Sequence, residues 1–186
     1  MAFEDALVKG EPVLQMLGYV KKRKGIEGVQ QVLEFTNKKH SSHYKFSDFK
    51  EMDWYSQLHY DSMLQGMEQV FPDDDKMFTR ACEHFLDNYG IMKYFVKFAM
   101  TPPQLMKKAS KDFNKFYSAG TLSVVELKKK HAKVELKEFP LSDHWSRSFA
   151  GFLEALCIHA TSSSEATCKI KVNKEENTAM FIVDWK

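Results

Sequence analysis

Seven histidines and three cysteines are the residues of this chain best suited to hold a metal or to act as acid, base or nucleophile. The closest histidine pair is His40-Ser41-Ser42-His43, a spacing that two metal ligands can share. No third carboxylate or thiol accompanies it, so a solvated loop is the preferred reading. Cys157-Ile158-His159 is weaker, since residues two apart on a helix point in different directions and do not readily share an ion or a proton. His84 lies next to the buried stripe of its helix, beside Phe85, and is the first choice for an axial ligand if a haem is present; a hydrogen-bonded structural histidine is the commoner use of such a position. Asp73-Asp74-Asp75 could hold a hard cation, but calcium loops spread their oxygen ligands at alternate positions over about a dozen residues. Helix capping accounts for these carboxylates.

Cys82, Cys157 and Cys168 are odd in number, far apart and without a Cys-x-x-Cys pair, which argues against a disulfide framework and a zinc knuckle and fits a reducing compartment. Gly-x-Ser-x-Gly, the phosphate-binding Gly-Lys-Ser/Thr and His-Glu-x-x-His are all missing from the sequence, which weakens the case for an enzyme. The formal net charge is +2, too small to imply nucleic-acid binding. Lys21-Lys22-Arg23-Lys24 is the densest basic cluster and reads as a solvated helix end complementing the helix dipole. No basic leader precedes an apolar run at the N-terminus, and no stretch of about 18 apolar residues occurs, so a cytoplasmic protein without a membrane span is expected.

The elements that must position these residues follow from periodicity. Val13, Leu14, Met16, Leu17 and Val20 give a first helix that ends before Gly25, and Ile26, Val29, Val32 and Leu33 a second that fades at Asn37-Lys38-Lys39. Tyr60, Leu64, Met67 and Phe71 mark another, followed by one with Met77, Ala81, Cys82 and Phe85 on its buried side. A further apolar segment runs from Ile91 to Met100. Thr101 and Pro102 then cap and open a helix carrying Leu105, Ala109, Phe113 and Phe116. After Gly120 the period becomes alternating, with strands at Leu122–Leu127 and Ala132–Lys137 around a turn at Lys128–His131. A long helix capped by Ser142 or Asp143 carries Trp145, Phe149, Phe152, Leu153, Leu156 and Ala160, and a second hairpin, Cys168–Val172 with Ala179–Trp185, closes the chain. These elements predict one α+β domain over residues 1–186, with helices packed on a C-terminal antiparallel sheet of about four strands and one long helix between the two hairpins.

The order of elements, with Asp53-Trp54-Tyr55 before its helix, Phe113-Asn114-Lys115-Phe116-Tyr117-Ser118-Ala119-Gly120 before the first strand of the sheet, and Gly151-Phe152-Leu153-Glu154-Ala155-Leu156 before the Cys168 hairpin, resembles one superfamily over nearly the whole chain. It contains the vinyl-reductase-type (4-vinyl reductase) ligand-binding domains, the TRAPP subunits and, more distantly, the haem nitric-oxide/oxygen-binding domains. The resemblance implies helices on an antiparallel sheet enclosing an apolar cavity, and it implies no single activity. Vinyl-reductase-type domains carry cysteines in the last hairpin; here only Cys168 matches, so no metal is carried over. The haem branch uses a Tyr-x-Ser-x-Arg triplet and a proximal histidine, and the triplet does not occur here. From the sequence, then, no cofactor is expected and haem is disfavoured.

Fifteen Phe and ten Met concentrate in the helices, and thioethers beside aromatic rings make adaptable apolar pockets as well as ordinary cores. Met67, Phe71, Phe85, Phe95, Phe98, Phe113, Phe149 and Phe152 are the expected cavity lining, with His84 as a cofactor ligand only if haem is present. The expected function is a non-catalytic sensor or carrier of a small hydrophobic ligand, reporting through a homodimer or a separate signalling partner. The alternatives are a cavity-less, dimer-forming interaction module of the TRAPP type, and a haem-binding gas sensor or porphyrin-related enzyme.

Overall fold

The computed structural model describes residues 5–88, 100–161, 165–173 and 175–186. A short strand, β1 (Leu7–Lys9), pairs antiparallel with β2 (Trp54–Ser56). Three-residue strands carry too little of a period to stand out in a sequence, and neither was expected. Between them runs α1 (Gly10–His40), whose halves are the two helices expected on either side of Gly25. Gly25 takes φ 71° inside it, a backbone conformation that favours glycine and kinks the helix. At its start α1 sits directly on the backbone that precedes β2. Gly10 N–H donates to the Asp53 carbonyl at 2.9 Å and Glu11 N–H to that of Glu51 at 3.1 Å, and a Cβ on Gly10 would stand 1.9 Å from the Lys50 carbonyl oxygen.

Helix α2 (Gln57–Val70) packs on α1, with Gly66 permitting close approach to Val32. Then come α3 (Met77–Asn88) and α4 (Pro102–Phe116); the apolar segment expected from Ile91 lies outside the described residues except for Met100. Thr101 caps α4 with Pro102 in its first turn, as the sequence suggests, and Gln104 adds the return bond, accepting the Thr101 N–H at 2.7 Å.

Four strands build the main sheet: β3 (Thr121–Lys128), β4 (His131–Lys137), β5 (Ala166–Asn173) and β6 (Thr178–Trp185), all antiparallel in the order β3-β4-β6-β5. The central strands alternate as expected, burying Ala132, Val134 and Leu136 on β4 and Ala179, Phe181 and Val183 on β6. Between the hairpins lies the long helix α5 (Asp143–Thr161). Ser142 fixes its start, accepting the Trp145 N–H at 3.0 Å and donating to the Asp61 carboxylate on α2. Near its middle Gly151 lets α3 come close, since a Cβ there would lie 2.7 Å from the Thr79 nitrogen. The chain is therefore α+β, with helices on a four-stranded C-terminal antiparallel sheet and one long helix between the hairpins. Among the described residues no helix is long and apolar enough to cross a membrane.

Candidate ligand cavity

The five helices leave a cavity of about 230 Å³ between them. Each wall is a helical stripe: Cys82, Phe85 and Leu86 from α3, Leu105, Ala109, Phe113 and Phe116 from α4, and Phe149, Phe152 and Leu156 from α5. Spacings of three and four put these residues on one face of each helix. The first turns of α1 add Pro12, Gln15 and Met16. Exposed Lys108 and partly exposed Glu11 and Asp112 mark the opening, where the Lys108 ammonium lies 2.5 Å and that of Lys115 2.7 Å from the Asp112 carboxylate. Hydrogen bonds from these two lysines hold the Asp112 carboxyl below its ordinary range.

Few polar groups reach the apolar walls. Tyr60, from α2, is fully buried with its hydroxyl beside Ser148, and the Tyr117 ring lies edge-on to Trp145 at 5.6 Å. Burial pushes both phenols well up, so each stays neutral. The Cys82 thiol is likewise pushed up, first by burial and then by the Glu83 and Glu154 carboxylates, which leaves it a neutral, unreactive group. Behind the cavity stands a dense aromatic block: Trp145 stacks on Phe149 at 4.9 Å, and Phe113 meets Phe149 edge-on at 6.0 Å.

Phe85, Phe113, Phe149 and Phe152 stand in the cavity wall. Met67 is buried in the core away from it, and Phe71 packs against Tyr19 with its ring 5.7 Å away, because the apolar stripe of α2 turns toward α1. Phe95 and Phe98 lie outside the described residues. His84 is on α3 but off the wall: Cys82, Phe85 and Leu86 share one side, and the intervening position turns the imidazole toward Tyr19 and Lys22, whose ammonium is 3.4 Å from Nδ1. Burial and the Lys22 charge lower its pKa. Tyr60, Tyr117, Ser148 and Gln15 were not singled out from the sequence. Leu105 and Ala109 were visible as part of the α4 stripe, but a helical stripe does not tell a cavity wall from a packed core. His40 and His43 do not form a metal cluster, and no group of three or more His, Cys, Asp or Glu suited to a metal occurs among the described residues.

No protein-family model matches the chain, and no curated protein does. Its fold, in contrast, is found among solved structures. An Fe(II) unliganded H-NOX protein from K. algicida superposes with a TM-score of 0.63 at 16% identity, covering 96% of each chain. The oxygen complex of an oxygen-binding H-NOX domain related to soluble guanylate cyclases gives 0.66 at 7% identity, over 96% of this chain and 95% of that one. A structure described as showing haem redox potential modulated by protein-induced porphyrin distortion gives 0.65 at 8%, over 96% and 99%. At these identities the likeness is one of fold. It supports the haem nitric-oxide/oxygen-binding branch of the resemblance, and not the vinyl-reductase or TRAPP branches.

These neighbours overturn the expectation that no cofactor belongs here and that haem is disfavoured: the fold is that of proteins described with haem, Fe(II) iron and bound oxygen. The missing Tyr-x-Ser-x-Arg triplet misled because a local motif was allowed to outweigh the order of elements along the whole chain. The described walls are apolar, with phenylalanines from three helices around the space. The lining side chains of types that can ligate haem iron are Met16, Tyr60, Cys82, Met100 and Tyr117, the thiol and both phenols held neutral, and no histidine is among the described lining residues.

Proposed function

We propose that the chain is a sensor or carrier domain with the H-NOX fold that holds an apolar, ring-shaped ligand in the cavity between its helices, with haem the first ligand to test. One observation carries the reading: three apolar helical stripes, on α3, α4 and α5, converge on one partly open space in a fold whose solved examples are described with haem and with bound oxygen. Occupancy would pass to a partner or a second copy through the helices that wall the ligand. The cavity is smaller than the roughly 300–1,000 Å³ usual for drug-sized ligands, so a macrocycle must displace wall side chains to enter. Phe116, Phe152 and Phe85, partly exposed, are placed to give way.

In this reading Cys82, Tyr60 and Tyr117 would face the iron of a bound haem, and the haem would supply the gas-binding centre. The residues of the chain exclude water: the phenols stay protonated, and the thiol presents no charge until a cation is near. Titration of the purified protein with hemin, followed by visible absorbance, tests this. A saturable shift of the main porphyrin band at one equivalent, lost in Ala109→Trp where the indole fills the cavity, supports the proposal. Binding of a neutral apolar fluorophore that Ala109→Trp abolishes, without any hemin shift, keeps the cavity and replaces the ligand. Loss of both contradicts the reading.

A further inference from the structure

Away from the cavity, His40 at the end of α1 and His59 on α2 lie in ring contact, their centroids 4.5 Å apart. Each ring has one nitrogen already engaged. His40 Nε2 is 2.7 Å from the Ser62 hydroxyl, which itself donates to the Leu58 carbonyl, so the imidazole N–H is the donor of this pair. His59 Nδ1 is 2.8 Å from the Tyr44 hydroxyl, and in the tautomer where the phenol donates that nitrogen is unprotonated.

We propose that the His40–His59 pair is an acid-sensitive latch, holding the segment 41–56 and, through it, the start of α1 against the rest of the fold. Two imidazoles at this separation cannot both carry charge without repulsion, and a proton on His59 Nδ1 reverses the Tyr44 bond, so that the phenol must turn from donor to acceptor beside a part-buried charge and the contact is strained. The groups facing the pair offset that charge only in part. Lys39, from α1, adds like charge, its ammonium held at 2.8 Å by Gln65 of α2. Asp61, from α2, is the facing carboxylate, and it already accepts from Ser142. Tyr44 and, behind it, Tyr55 are the phenols contributed by the segment, and burial pushes that of Tyr44 up.

Consequences run along the segment. Tyr44 packs on Phe49 at 5.2 Å and Phe49 on Tyr55 at 5.0 Å, while the Tyr55 hydroxyl accepts from Lys50 N–H and donates to the Asp48 carbonyl. The next residues, Glu51 and Asp53, receive the first two N–H groups of α1. Glu11, Pro12, Gln15 and Met16 of that same stretch wall the cavity. Releasing Tyr44 therefore loosens one side of the ligand space, whichever ligand occupies it.

Burial lowers the pKa of both histidines, and for His40 the neighbouring His59 and Lys39 lower it further. The sign follows: the neutral rings favour the fold, so the contribution is full above the ordinary histidine value of about 6.5 and is lost as pH falls through the depressed values. Amide hydrogen exchange on the full chain at about pH 7.5 and about pH 5, corrected for intrinsic rates, reads the latch directly. Exchange in residues 41–56 should rise about tenfold or more relative to α5, with NMR titration of both rings below the ordinary value. His59→Gln, which keeps a hydrogen-bonding side chain but cannot titrate, should flatten the pH response. Equal changes in the segment and in α5, a pH-independent segment, or titration at or above the ordinary value would each overturn the proposal; the wild-type comparison decides even if the variant fails to fold.

Discussion

Helix α5 presents two sides that are packed in opposite ways. On one, Leu153, Glu154 and Cys157 are almost completely buried, and the Glu154 carboxylate accepts from Thr79 Oγ1 at 2.6 Å, Lys76 Nζ at 2.9 Å and the Cys168 N–H at 2.9 Å, tying α5 to α3 and to β5. On the other, Phe149, Phe152 and Leu156 look into open space shared with α3 and α4. The charged group on the first side is answered from other elements, whereas the second is apolar with little opposite it. A closed side resists change in volume; an open one accepts it, and that is the physical difference between a core and a ligand site.

Substitutions of closely packed residues and of cavity-wall residues should separate cleanly. Trp145 is 1% exposed and touches Phe139, Phe149 and Tyr117, so Trp145→Ala should cost about 3–5 kcal/mol in denaturant unfolding, the largest loss expected. A cost below about 1 kcal/mol would mean that the aromatic block is itself loose. Next comes Glu154→Ala, which strands the Thr79 hydroxyl and the Cys168 N–H and should cost about 2–3 kcal/mol; the Lys76 contact adds little because that ammonium is half exposed.

A matched pair of smaller effects sharpens the contrast. Ala155→Leu enlarges a fully buried residue and should destabilise by about 1–3 kcal/mol, while Ala109→Leu, on the cavity wall, should stay within about 1 kcal/mol and weaken ligand binding instead. Equal stability costs for the two would contradict the distinction. The smallest effect concerns thiol chemistry. Burial and Glu154 push the Cys157 thiol up to about 12, and Cys82 is pushed higher still, so a thiol reagent at neutral pH should label neither at a measurable rate until the chain unfolds.

The sequence made the fold largely legible where periods were long. α5 announced itself through Trp145, Phe149, Phe152 and Leu156, and β4 through the alternation from Ala132 to Lys137. The short β1 and β2 escaped, since pairing with a distant partner, rather than local pattern, makes them strands. The cavity was half legible: the stripes on α3, α4 and α5 could be read, but whether a stripe meets another stripe or a void is decided by partners far away in sequence. Tyr60 shows the limit. On α2 it shares the spacing of Leu64 and Met67, yet it reaches the cavity while they do not, and its neighbour there, Ser148, is 88 residues away in sequence.

The most direct test of the central claim, that this space exists to hold a ligand, is native mass spectrometry of the purified chain beside a denatured sample and beside Ala109→Trp. The account predicts a stoichiometric extra mass on the wild-type chain, acquired during expression or on adding hemin, that is released on denaturation and missing from Ala109→Trp. A bare mass for the wild-type chain under both conditions, with Ala109→Trp as stable as the parent, would contradict it.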